Sequence, residues 1–119
     1  MAFRMYEMSS ISTKKSHLPL RIFISVKGNA SHGPRVKVSK LYGDKFGDGA
    51  DMVTITAEDP VRVIGDTGQL RSYDLEAIKK FVERNRELLW LLWDEEITSD
   101  EFIDSMEVED ISNKSKDKF

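Results

Sequence analysis

Leu88 to Trp93 reads LLWLLW, an unbroken apolar run inside a segment that otherwise keeps a helical period. The parent segment, Ser72 to Glu96, sets Leu75, Ile78, Val82, Leu89 and Trp93 three, four or seven residues apart. That spacing draws one apolar stripe along a helix. Phe81, Leu88 and Leu92 widen the stripe. As a single helix the segment spans roughly 37 Å, enough to cross a small domain. Ser72 suits an N-cap, since its hydroxyl can accept from an orphan N–H of the first turn. Asp74 and Glu76 fall near the positive end of the dipole. Six consecutive apolar residues exceed a full turn, so no single flat surface covers them all. The chain therefore needs one layer beneath this helix and something else over its far side.

The preceding residues supply the layer. Leu20 to Val26 alternates, with Ile22, Ile24 and Val26 on one face and Arg21, Phe23 and Ser25 on the other. Arg35 to Leu41 turns Val36 and Val38 inward and Arg35, Lys37 and Ser39 outward. Met52 to Ala57 turns Val53 and Ile55 inward and Thr54 and Thr56 outward, and Val61 to Ile64 adds a short strand with Arg62 outward. The linking segments are turn-rich and short, which favours antiparallel pairing. After Glu96, Thr98 and Glu101 have the spacing of a capping box ahead of Phe102, Ile103 and Met106. A short acidic helix over about Ser99 to Glu107 is expected to fold back on the Leu88–Trp93 run. The fold class is thus α+β: a small antiparallel sheet of three to four strands packed on one long C-terminal helix, plus a short acidic helix. Residues 1–19 read as an N-terminal segment in which Phe3, Met5 and Met8 could form a short strand and SSISTKKSH a loop. Residues 20–107 are expected to form a single domain and 108–119 a polar, mobile tail.

With 119 residues the chain supports one core. There is no cysteine, which removes disulfide and thiolate chemistry. No apolar run reaches the length of a membrane span, and the first residues lack a signal-type apolar core, so a cytoplasmic location is expected.

Charge is strongly segregated behind a net of −3. Residues 1–47 carry a net +7, residues 48–93 a net −3 and residues 94–119 a net −7. Such asymmetry suits electrostatic docking, and equally two solvated surfaces of opposite sign. There are two candidate surfaces. The first is a protein-binding surface made of Trp90, Leu91, Asp94, Glu95, Glu96, Asp100, Glu101, Phe102 and Asp104. Its acids have no basic residue among them, and an acidic amphipathic segment can dock on a basic groove or imitate the charge of nucleic acid. The second is the outward sheet face, where Arg21, Phe23, Arg35, Lys37 and Arg62 could line a phosphate backbone and stack a base. Trp90 and Leu91 project about 80° and 180° from the centre of the core stripe at 100° per residue, so a homodimer seam there is also expected.

Other chemistry is weakly signalled. Asp44 to Gly49 has the start of a calcium loop, but Phe46 and Ile55 stand where oxygen ligands belong. Gly65-Asp66-Thr67-Gly68 lacks the lysine of a phosphate loop. His17 and His32 are the only histidines, and no serine sits in a nucleophile motif. No enzyme activity, metal or cofactor is expected.

Ala30-Ser31-His32-Gly33-Pro34-Arg35-Val36, after an early strand, and Asn85-Arg86-Glu87-Leu88-Leu89 through Trp93 carry a resemblance. They resemble a small bacterial family of unknown function with a Pro-His-Phe-His-Ala segment and a helix ending His-Arg-x-x-Leu-Leu-x-x-Trp. His32 matches the first segment, and the second histidine is replaced. That family is similar in gene setting to toxin–antitoxin modules and has divergent copies in phages. The resemblance covers residues 20–96 and implies regulation or inhibition by binding. The expected function is a small non-enzymatic protein that sequesters or inhibits a macromolecular partner, in the manner of an antitoxin or a phage-encoded inhibitor of a host nuclease such as a CRISPR effector. The alternative is a nucleic-acid-binding module using the basic sheet face.

Overall fold

A computed structural model describes residues 8–28, 31–42, 52–68 and 70–108. The calcium-like loop at 43–51, Phe3 and Met5, and the tail beyond 108 lie outside the described residues.

The chain forms an antiparallel five-stranded sheet in sequence order, β1 (Met8–Ile11), β2 (Leu20–Ser25), β3 (Arg35–Tyr42), β4 (Met52–Thr56) and β5 (Val63–Ile64). The α+β class therefore stands, with five strands rather than three to four. The extra strand comes from the N-terminal segment, whose residues Met8–Ile11 pair with β2. Ser9, Ser10 and Ile11 pair with Ile24, Phe23 and Ile22. Polar edge strands carry little apolar alternation, so Ser9, Ser10 and Ile11 read as a loop in sequence yet pair readily on an edge. Strand β1 leads into a single helical turn, α1 (Thr13–Ser16), where Ser12 Oγ accepts from the Lys15 N–H at 3.3 Å.

Register fixes the two faces. One face carries Ile11, Ile22, Val38 and Val53 in one row, with Val36 and Ile55 alongside. All are buried, and they share one core with Ile78, Phe81, Val82, Leu89, Leu92 and Phe102. The other face carries Ser10, Phe23, Lys37, Thr54 and Ile64 in one row, and Arg35 opposite Thr56.

The expected long helix is interrupted. It runs as α2 (Ser72–Arg84) and α3 (Arg86–Trp93), with Asn85 between them at φ −107° and ψ 18°. Its start is also different: Arg71 is the N-cap and makes no side-chain cap bond, while Ser72 is already helical. The start is held by a side-chain knot instead. Tyr42 Oη donates to the buried Asp74 carboxylate at 2.7 Å, Arg71 Nε donates to the same oxygen at 2.9 Å, and the Arg71 N–H donates to Tyr42 Oη at 3.0 Å. The Tyr42 hydroxyl first, then Asp74, raise the Arg71 guanidinium above its ordinary pKa.

The interruption has a cause. Asn85 is 1% exposed and its side chain is fully used. Nδ2 donates to the carbonyls of Phe81 and Glu107, both at 2.9 Å, and Oδ1 accepts from the Glu107 N–H at 2.7 Å. The amide thus reads the backbone of Glu107 in both directions, pinning the segment after α4 (Ser99–Ser105) to the helix junction. Arg86 secures the other side, with Nη2 donating to the Glu58 carbonyl at 2.9 Å.

Candidate interaction surface

The end of α3 builds the surface. Leu89, Leu92 and Trp93 are buried, Leu88 packs partly on the core, and Trp90 and Leu91 remain 45% and 37% exposed. A helix of six apolar residues has no other way to sit on one core, and the short helix α4 leaves these two open. Leu91 has Glu87 one helical turn before it, and Asp94 and Glu95 follow directly at the helix end.

The helix then ends in a left-handed cap. Glu95 has φ 61°, its N–H donates to the Leu92 carbonyl at 3.0 Å, and the Glu96 N–H donates to the Leu91 carbonyl at 2.8 Å. This is the paired-bond Schellman arrangement, in which glycine is the usual residue at the left-handed position. The cap leaves the side chains of Asp94, Glu95 and Glu96 exposed. Thr98 then starts α4 with a complete capping box: its Oγ1 accepts from the Glu101 N–H at 3.1 Å, and Glu101 Oε1 accepts from the Thr98 N–H at 2.8 Å. Asp100, Glu101 and Asp104 face outward from α4. Among the described residues no cation pairs with Glu87, Asp94, Glu95, Glu96, Asp100 or Asp104.

One residue expected at this surface is not there. Phe102 is 0% exposed and belongs to the core. The helical position that comes after the capping box is the one α4 turns inward, and a phenyl ring there anchors the short helix rather than a partner. Ser9 Oγ donates to Ser99 Oγ at 2.9 Å and ties that helix to the edge strand β1.

The expected open, basic sheet face is largely closed. Phe23 is 6% exposed, too covered to stack a base, and Ser39, Thr54 and Thr56 are buried. Arg62 is exposed but engages Glu58 at 2.8 Å. Arg21 is half-buried and donates to Ser10 Oγ at 3.0 Å. Arg35 and Lys37 remain, both half-buried, with Lys37 Nζ donating to Thr54 Oγ1 at 3.3 Å. The face closes because its long side chains lie along the sheet and because α3 reaches round to it. Trp93, 4% exposed, packs its ring 5.4 Å from the imidazole of His32, and its carbonyl accepts from the Lys27 N–H at 3.1 Å. The Trp90 ring lies over Gly33, where an added Cβ would stand 3.5 Å from it. The β2–β3 turn and the end of α3 therefore form one wall, a pairing that no local sequence pattern announces.

Among the described residues no three acidic or histidine side chains are grouped to hold a metal ion, and no helix is long and apolar enough to cross a membrane. Compared with known proteins, the chain matches no protein-family profile, no curated protein and no solved structure. Fold and surface together define an α+β protein carrying an acid-rimmed aromatic patch.

Proposed function

We propose that the chain is a non-enzymatic binding protein whose α3–α4 surface docks on a basic protein surface and blocks it. The manner is that of an antitoxin or a phage-encoded inhibitor of a host nuclease. The observation that carries the reading is the exposed Trp90–Leu91 pair beside acids that no cation among the described residues neutralises. Stability opposes this arrangement in two ways. Acids at a helix C-terminus face the negative end of its dipole, and α3 has no basic residue in its last turn. A glutamate also occupies the left-handed cap, where a side chain is strained. Features that cost stability and recur at one place are best explained by a use there.

Charge complementarity specifies the partner's chemistry. A cationic groove of the kind that holds nucleic acid matches the acids, and a tryptophan at its centre supplies an anchor. The test is affinity capture from the native host with the parent and with Trp90→Ala plus Leu91→Glu as bait. The captured protein is then titrated with duplex DNA as competitor. A basic partner held by the parent, released by DNA and rising salt, and lost with the variant supports the reading. A partner retained equally by the variant, or one indifferent to DNA and salt, overturns it.

A further inference from the structure

A second site stands apart from the acidic patch, on the sheet face opposite the core. Phe23, Ser25, His32, Arg35, Lys37 and Trp93 enclose a small cleft of about 50 Å³, open at the surface. Its walls are the rings of Phe23 and Trp93, and its polar groups are a hydroxyl, an imidazole, a guanidinium and an ammonium. We infer that this cleft is an oxyanion site that takes a single phosphate group.

Three observations carry the inference. First, Arg35 and Lys37 stand two residues apart on β3, so both project from the same face. Second, both are half-buried, and among the described residues no carboxylate pairs with either. Three other cations do find acids: Arg62 with Glu58, Arg71 with Asp74 and Lys79 with Glu76. Partly desolvated cations lacking a counter-charge favour an anion supplied from outside. Third, the donor set is graded for a tetrahedral oxyanion: a guanidinium fork, a point charge and a hydroxyl. Its apolar walls strengthen each charge–charge contact by excluding water.

His32 also lines the cleft. Its Nδ1 lies 2.8 Å from the Gly33 carbonyl, which can only accept, so Nδ1 carries the proton. Buried Phe23 is too covered to stack a nucleobase, so the group the cleft recognises is the phosphate itself. The ligand is thus free phosphate or the phosphate end of a small ester. The inference does not rest on the acidic patch, and either stands if the other fails.

The chain carries its own reporter, because Trp93 lines the cleft and Trp90 adjoins it across Gly33. Tryptophan fluorescence and the melting temperature are monitored while sodium phosphate, phenyl phosphate or sodium chloride is added at matched ionic strength. A saturable fluorescence change with a rise in melting temperature, seen with a phosphate and not with chloride, is expected. Arg35→Gln should weaken that affinity at least about tenfold, the scale of one lost charged hydrogen bond. Arg35→Gln plus Lys37→Gln should abolish it. Ser25→Ala, which removes no charge, should give a smaller loss and guards against a fold defect in the double variant. Tighter phenyl phosphate assigns the site to an ester, and tighter inorganic phosphate assigns it to the free ion. Identical responses to phosphate and chloride, or a phosphate response that survives the double substitution, overturn the inference.

Discussion

Replacing Asn85 with alanine tests the central joint of the fold. The substitution removes three side-chain hydrogen bonds, one to Phe81 and two to Glu107. At about 1 kcal/mol net each they total about 3 kcal/mol. Two effects reduce this. Phe81 keeps a second donor, since the Asn85 N–H also reaches its carbonyl at 3.1 Å, and Glu107 is exposed enough for water to replace part of its loss. The expected net loss is about 2 kcal/mol. Urea unfolding measured by circular dichroism should show the midpoint falling by roughly 1–2 M with an unchanged slope. Amide exchange at Glu107 should accelerate, because its N–H loses its acceptor. Asn85→Asp separates geometry from volume. A carboxylate can still accept from Glu107, but it faces two carbonyls without a proton to offer, so it should be worse than alanine at neutral pH. If Asn85→Ala lies within about 0.5 kcal/mol of the parent, near the usual limit for neutral surface changes, and Glu107 exchange is unaltered, the joint does not hold the two helices to the C-terminal segment.

Three further outcomes are expected. Asp74→Ala removes the acceptor of both Tyr42 and Arg71 and should cost about 1–3 kcal/mol by thermal melting, whereas Asp74→Asn keeps an acceptor and should cost less; equal losses would show that hydrogen bonding at Tyr42 is not what matters. Glu95→Gly relieves the left-handed cap and should raise stability by about 1 kcal/mol, while removing one acid from the patch and weakening partner capture; a lower melting temperature contradicts the strain reading. Trp90 and Leu91 also offer a twofold contact, so light scattering at high micromolar concentration should give a dimer mass that falls to the monomer on Trp90→Ala plus Leu91→Glu; a monomeric parent excludes self-association and leaves the patch to a foreign partner.

What the sequence makes legible is what period and local chemistry control. The alternation in β2 to β4, the stripe of α2 and α3, and the Thr98–Glu101 capping box are all short-range patterns, and each corresponds to an observed element. Exposure of Trp90 and Leu91 comes from arithmetic on a helix of six apolar residues. The rest depends on contacts distant in sequence. Met8–Ile11 becomes a strand because β2 offers an edge, not because its residues alternate. Asn85 is unremarkable on a helix until Glu107 arrives beside it, 22 residues later. Phe102 looks like an exposed anchor until α4 docks. Phe23 has the right alternation for an outward face, but outward from one core is inward to a second cluster once Trp93 folds over.

That second cluster explains how one small domain keeps two surfaces of opposite sign apart. The basic and acidic segments attract each other, and a flexible chain would let them neutralise. Here the acids leave α3 through a cap at Asp94 to Glu96, fixed by three backbone bonds. Arg35 and Lys37 sit on a central strand, fixed by pairing on both sides. Between them stands a wall of Trp90, Trp93, His32 and Gly33, in which no side chain carries a fixed charge. Neither surface can cross that wall without breaking sheet or helix bonds, so these opposite charges stay apart within the molecule. The separation gives both surfaces the same logic: each holds charge that the fold declines to neutralise, and each is therefore free to be neutralised by something else. It also makes the two occupancies independent, so phosphate in the cleft should leave the affinity of the acidic patch unchanged at constant ionic strength. A strong competition between them would mean that the wall moves.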